Sequence, residues 1–251
     1  MIFPGKEKTN NMRLDRFLSM NGFASRSGSK KIINQQRVKV NGKVTTVNDL
    51  QISGEDKITV DDIPVENLPY VTLIMNKPEG YLCSMIDEKY PSVMNLVPEN
   101  YRKRVRMVGR LDQDTTGLLI LTDNGVLNSR LANPKYEVEK TYAVRVNHVL
   151  KMDLIGLFKA GNIDIGRGNI ASSSKLTILD DYHAHLTIHE GKYHEVKRLF
   201  ARFDYEVMEL QRISFGPLTL GDLPLGQTRK VTEEEYLALL EMTNMKKEEQ
   251  L

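Results

Sequence analysis

The sequence has a single cysteine, Cys83, in 251 residues. That excludes an internal disulfide framework and leaves no cysteine cluster for zinc, so Cys83 reads as a small, semi-buried thiol. No apolar run approaches the ~18–20 residues of a membrane-spanning helix. The opening Met1-Ile2-Phe3-Pro4-Gly5-Lys6 lacks the apolar core of a secretory signal. A cytoplasmic location is expected. The net charge is only +2, so the total by itself says nothing about a polyanionic partner. There is no internal repeat. Strand and helix signals are mixed without regular alternation, which favours an α+β fold over a doubly wound sheet.

The charge is unevenly placed. Residues 13–60 carry nine Lys or Arg against four Asp or Glu, a net +5, while residues 61–251 come to −4. A compact basic segment ahead of a mildly acidic body is the footprint of a phosphate-binding module. Residues 1–12 are polar and aperiodic and are expected to be a flexible extension.

Leu14, Phe17 and Leu18 recur at helical spacing. Asn21-Gly22 should end that helix, because both tolerate left-handed backbone. Ser25 or Ser27 can cap a second helix running to about Gln36, with Lys30 and Lys31 outward and Ile32 and Ile33 inward. Val38-Lys39-Val40 and Lys43-Val44-Thr45 flank Asn41-Gly42, a strong hairpin signal. Lys57 to Val60 adds a strand. Arg26, Lys30, Lys31 and Arg37, beside Lys39 and Lys43, can form one cationic edge suited to RNA phosphates.

Asp61 to Tyr70, bracketed by Pro64 and Pro69, reads as a linker. Beyond it, strands are expected at 71–75, 118–122, 142–146, 176–179, 184–188 and 207–210. Helices are expected at 126–131, 193–203 and from Thr232-Glu233-Glu234-Glu235, whose threonine and acids suit a helix N-terminus. The expectation is a small helix-helix-hairpin domain at 13–60, a linker at 61–70, a mixed and largely antiparallel sheet with flanking helices at 71–241, and a charged tail at 242–251.

The most informative stretch is Val108-Gly109-Arg110-Leu111-Asp112-Gln113-Asp114-Thr115-Thr116-Gly117. Five consecutive polar residues lead directly into a buried strand, so the loop is held stiffly and can present a carboxylate to a cleft. Arg110 could bind a phosphate or hold the carboxylate ionised. Spacing alone does not choose between Asp112 and Asp114. His183, His185 and His189 lie in or near a strand without a companion ligand set, so they read as ordinary histidines and no metal site is expected. Arg102, Lys103, Arg104 and Arg106 precede the loop as either a solvated run or an RNA contact. His194 reads as a structural hydrogen-bonder.

Two resemblances attach to these residues. Met12 to Leu18, Ser25-Arg26-Ser27 and Val38 to Gly42 resemble the RNA-binding domain first seen in ribosomal protein S-four, which implies a partner and not a reaction. The loop 108–117 resembles the signature loop of the pseudouridine synthases, in the branch with such a leading domain that acts on ribosomal RNA. Asn76-Lys77-Pro78-Glu79-Gly80, Glu139-Lys140-Thr141-Tyr142 and Glu190-Gly191-Lys192-Tyr193-His194-Glu195-Val196-Lys197-Arg198-Leu199-Phe200 resemble three further motifs, in order. The similarity covers about 13–240.

The resemblance implies isomerisation of a specific uridine to pseudouridine, with Asp112 as the essential aspartate, Tyr142 as the ring that stacks on the target base and Lys197 as the cation paired with the aspartate. Many relatives have Arg at the position of Lys197, so the pairing here is less bidentate. Arg110 and Arg198, with Arg13, Arg26, Lys30, Lys31, Arg37 and Lys39 of the small domain, are the expected RNA contacts. The aspartate acts as nucleophile or base, at sugar or ring. The target base must leave its stack. The reaction needs neither metal nor organic cofactor. The expected partner is ribosomal RNA, free or in an assembling small subunit, with no membrane or small-molecule substrate, and a monomer is expected. Asp112 to Gly117 and the stretch Gly216 to Glu235 look most like the small-subunit branch, which modifies uridine 516 of 16S rRNA. The alternatives are a 23S rRNA target, or a non-catalytic RNA-binding assembly factor. A small-molecule hydrolase using Asp112 and Asp114 would leave the basic domain unexplained.

Overall fold

A computed structural model describes residues 12–21, 26–53, 55–65 and 70–245, and the backbone alone of Met20 and Arg26. The chain divides into two compact units, one before Val71 and the other spanning Val71–Met245.

The first unit runs β1 (Met12–Arg13), α1 (Leu14–Met20), α2 (Arg26–Asn34), β2 (Val38–Val40), β3 (Lys43–Val44), β4 (Gln51–Ile52), β5 (Ile58–Val60) and β6 (Ile63–Pro64). Leu14, Phe17, Leu18 and Ile33 from the helices bury against Val38, Ile52, Ile58 and Val60, giving the unit its own core. The β2–β3 hairpin turns through Asn41 and Gly42, both at positive φ, as a two-residue turn with matching twist requires. Several expectations are corrected. Met12 is not an extension but pairs with Ile52 in β1–β4. Part of the expected linker is fold: Ile63–Pro64 pairs with β5, and Val65 is buried. Asn21 ends α1 at φ −86°, not in left-handed backbone, with its side-chain amide donating to the Phe17 carbonyl. Ser27 lies inside α2, so it is not the cap. Residues 1–11, Gly22, Ser25 and Pro69 lie outside the described residues.

The second unit is built on one mixed sheet. Its strands are β7 (Thr72–Lys77), β8 (Arg106–Val108), β9 (Thr116–Thr122), β10 (Lys140–Val146), β13 (Lys175–Ile178), β14 (His183–Ile188), β15 (Val207–Phe215), β16 (Leu218–Thr219) and β17 (Thr228–Lys230), while β11 (Ile163–Asp164) and β12 (Ile170–Ala171) pair separately. The order across the sheet is β13-β14-β10-β15-β9-β7-β17, with β8 on β9 and β16 on β15. Every pairing is antiparallel except β9 with β15. The helices are α3 (Glu99–Arg102), α4 (Gly125–Ala132), α5 (Asp153–Ala160), α6 (Glu195–Ala201) and α7 (Glu233–Met242).

The apolar run in β9 follows from two-sided burial. Strand side chains alternate between faces. Leu119 and Leu121 join the core formed with Leu154 and Phe158 of α5 and Leu199 and Phe200 of α6. Leu118 and Ile120 join the opposite core with Leu127 and Leu131 of α4 and Leu239 and Leu240 of α7. A strand covered on both faces reads as continuously apolar. Gly117, the second residue of β9, lies at φ +103°. A Cβ there would lie 2.3 Å from the Arg212 carbonyl oxygen, so only glycine permits the β9–β15 approach. α7 starts with a capping box between Thr232 and Glu235. The expected tail enters the fold as far as Met245, which is buried beside that helix.

The basic run ahead of the loop is also corrected in part. Arg104 is not a free RNA contact: it pairs with buried Asp123 at 2.6 Å. Asp123 also accepts from the Val71 amide at 2.8 Å, joining the start of β7 to the end of β9. Burial holds the Asp123 carboxyl above the usual carboxylate range. Removing one partner strands the other charge, so Asp123→Ala is expected to lose about 3–5 kcal/mol of unfolding free energy. Urea unfolding checks this, and a loss below about 1 kcal/mol would show the pair to be incidental.

Candidate active site

The loop between β8 and β9 is fixed from several sides. The Leu111 amide donates to the buried Cys83 sulfur at 3.3 Å. The Gln113 carbonyl accepts from the Gly80 amide at 3.0 Å, and the Thr115 amide donates to the Asp112 carbonyl at 3.2 Å. Lys77, at the end of β7, is fully buried. Its ammonium donates to the carbonyls of Pro78 at 3.0 Å, Gln113 at 3.2 Å and Thr115 at 2.9 Å. Burial lowers the Lys77 pKa, while the fields of Cys83, Asp114, Asp112 and Glu79 work the other way. Held this way, the loop turns Asp112 toward a cleft of about 70 Å³ that Tyr142, His194 and Lys197 also line.

Asp112 is half-buried, with His194 Nε2 3.3 Å from Oδ1 and Lys197 Nζ 3.9 Å from Oδ2. Lys197 lies closer to Asp114, 2.5 Å from its Oδ1. Burial would raise the Asp114 carboxyl, but the Lys197 hydrogen bond and charge outweigh it, and the pKa is lowered. The cation expected on Asp112 is therefore shared between two aspartates. His194 adopts a left-handed backbone conformation at the start of α6, and its ring stacks on Tyr193 at 3.8 Å. Sequence reading gave it only a structural role. Tyr142 is buried on β10, directly opposite Arg212 of β15 and Leu186 of β14. Arg110 is exposed at the rim and forms no hydrogen bond or ion pair among the described residues.

The expected RNA contacts divide into occupied and open cations. Arg198 donates to the carbonyls of Tyr193, at 3.0 Å, and Gly166. Arg13 grips buried Asp15 with two nitrogens, Arg37 grips Asp61 and Lys39 pairs with Asp62. Lys30 and Lys31 are exposed on α2. The Arg26 side chain lies outside the described residues. Of the histidines, His183 hydrogen-bonds Asp180 and His189 the Glu137 carbonyl.

Buried Glu195, which lines the cleft, and half-buried Glu190 lie side by side. Glu190 also binds the Lys192 ammonium and accepts from the Ser172 amide at 2.8 Å, and Glu195 accepts from the Lys192 amide at 2.7 Å.

The family model described as RNA pseudouridylate synthase matches residues 71–202, and the S4 domain model matches residues 12–58. The chain belongs to the RNA pseudouridylate synthase family. It is 37% identical over 234 residues to ribosomal small subunit pseudouridine synthase A of Haemophilus influenzae, covering 91% of this chain and all of that one. It is 33% identical over 231 residues to the protein of that name from Escherichia coli (strain K12), with the same coverages. Ribosomal large subunit pseudouridine synthase B of Bacillus subtilis is 35% identical over 232 residues, covering 90% and 95%. A crystal structure of a pseudouridylate synthase superposes with a TM-score of 0.66 at 36% identity, over 91% of this chain and 99% of that one. The synthase fold and the α+β expectation agree.

The Glu195–Glu190 pair sets a pH dependence for this pseudouridine synthase. Burial first, and then the neighbouring Glu190, push Glu195 up to about 7, while Glu190 is held low by its donors. A carboxyl whose folded pKa is raised contributes stability that is full below its unfolded pKa and is lost as pH rises through the folded value. The wild-type Tm is therefore expected to fall between about pH 5 and pH 8 relative to Glu195→Gln, whose amide keeps the donation to Glu190. Parallel pH–Tm curves for the two proteins would contradict the assignment.

Proposed function

We propose that the protein converts one uridine of small-subunit ribosomal RNA to pseudouridine, with Asp112 as the reacting carboxylate. The observation that carries this reading is the convergence of Asp112, Tyr142, His194 and Lys197 on one cleft, with the loop behind Asp112 anchored by Lys77. In the reaction the bond from uracil N1 to ribose C1′ breaks and a bond from C5 to C1′ forms. The C5 proton is lost and N1 gains one, so no electrons are exchanged with a cofactor. The target base must leave its stack, at a cost of a few kcal/mol that an aromatic ring partly offsets. Tyr142 is the ring placed for that contact. Asp112 reacts with the flipped nucleotide, and His194 and Lys197 orient its two oxygens. Lys30 and Lys31 of α2 supply sequence-independent attraction to the RNA backbone. The relatives named for the small subunit support a small-subunit rRNA target, and uridine 516 of 16S rRNA is the position proposed within it. The Bacillus subtilis large-subunit relative, as similar as the others, supports a second reading in which the target lies in 23S rRNA.

Tritium release from 16S and 23S RNA labelled at uracil C5, free and in partly assembled particles, tests this. Release from 16S RNA alone is expected, and Asp112→Asn is expected to lower it by at least a thousandfold while RNA affinity stays within a few-fold. Release from 23S RNA alone would move the target. Release undiminished in Asp112→Asn would remove that residue from the chemistry.

A further inference from the structure

Beside Tyr142 lies a second cavity of about 230 Å³, adjoining the Asp112 cleft and sharing Arg110, Tyr142, Gly191 and Lys192 with it as wall. Its polar lining is dominated by cations. Arg212 is 3% exposed, yet among the described residues its guanidinium makes one hydrogen bond, from Nε to the Leu118 carbonyl at 2.7 Å. Nη2 is buried with no partner. A buried guanidinium with most of its donors unmatched is costly unless an anion completes it. Lys140 reaches the same cavity, and among the described residues its ammonium donates only to the His189 carbonyl, at 3.3 Å. Both cations lie against the Phe215 ring, with Lys140 Nζ 5.4 Å and Arg212 Cζ 5.1 Å from its centroid. The carboxylate facing the cavity, Glu190, is bound by the Lys192 ammonium, and its charge and that of Glu195 offset the Lys140 cation only in part.

We infer that this cavity is a phosphate subsite, in which Arg212 and Lys140 hold a phosphodiester of the RNA strand next to the flipped nucleotide. The inference rests on the function proposed above and adds a site to it. Its position follows from the sheet. Tyr142 and Arg212 are direct cross-strand partners, so their side chains share a face and stand within reach of one nucleotide. A base stacked on Tyr142 is flanked on either side, one sugar away, by a phosphate. The cavity also has apolar walls at Val108, Leu131 and Phe215, where a charge-assisted hydrogen bond is stronger than in water. Burial and, next, the charge of Arg212 lower Lys140 to about 8, against the opposing fields of Glu195 and Glu190.

The test uses the full chain and a series of ligated RNAs around the target uridine, each with one linkage replaced by an uncharged methylphosphonate. Equilibrium binding and single-turnover product are measured separately, for the wild type and for Lys140→Met. One linkage is expected to cost the wild type about tenfold in binding. Lys140→Met is expected to lose about tenfold on the natural RNA and less than twofold more on that one methylphosphonate RNA. Arg212→Lys should show the same coupling at the same linkage, where its thermal melt matches the wild type. Equal losses for Lys140→Met on every RNA of the series would overturn the assignment. So would inhibition of the wild type, but not of Lys140→Met, by millimolar inorganic phosphate without linkage coupling, which would make the cavity a site for free phosphate. Coupling in binding without any product would leave the subsite standing and remove the proposed reaction.

Discussion

The architecture of the cleft depends on one buried ammonium. Lys77 sits at the end of a core strand with no carboxylate in contact, and its three donors are used on backbone carbonyls, two of them in the loop that carries Asp112. A desolvated cation costs several kcal/mol unless its hydrogen bonds are good and opposite charge lies near. Here the carbonyls supply the bonds, and Asp112 and Asp114 supply the nearby negative charge. The dependence is mutual. The loop keeps its shape because its carbonyls face Lys77, and Lys77 keeps its charge because the loop is there. Asp112 is thereby presented by the sheet itself, with little freedom of its own, as preorganised chemistry requires.

The same economy of charge runs through the molecule. Cations that look interchangeable in the sequence have different employment in the structure. Arg104 locks β7 to β9 through Asp123, and Arg198 ties α6 to the Gly166 turn. Arg13, Arg37 and Lys39 are each matched by an aspartate of their own unit. Others keep donors to spare: among the described residues Lys30 and Lys31 on α2, Lys43 on the hairpin and Arg110 beside Tyr142 form no side-chain hydrogen bond or ion pair, and Lys140 and Arg212 are each only partly bonded. A cation already bonded to protein has little left to offer a phosphate, so under the proposed function the RNA backbone contacts fall to cations of this second kind.

Much of this was legible beforehand, for identifiable reasons. Two-sided burial makes β9 a continuous apolar run, the Asn41-Gly42 turn needs its own residue types, and a capping box announces α7. The polar loop between two glycines marked the segment holding Asp112 and Asp114, and resemblance chose Asp112 and supplied Tyr142 and Lys197, which the fold brings to the same cleft. Other features left no local signal. The tail and linker were misread because Met245 and Val65 are buried by contacts distant in sequence. Arg212 lies five residues beyond Val207 on a strand expected to stop at Leu210, and it acquires meaning only when β10 is laid beside β15. The role of Lys77 depends on carbonyls 36 and 38 residues away. The signal that could have found it is a lysine closing the buried run Val71 to Met75 and directly followed by proline, a position with no solvent route for its charge.

The most direct measurement of the central claim is single-turnover pseudouridine formation by Lys77→Met, which keeps the aliphatic volume and removes the ammonium, alongside amide hydrogen exchange across residues 111–116. The account predicts a loss of at least a hundredfold in rate, RNA affinity within a few-fold of wild type, and faster exchange confined to that loop. A rate within threefold of wild type with unchanged exchange would contradict it, because the loop would then hold Asp112 in place without the buried charge.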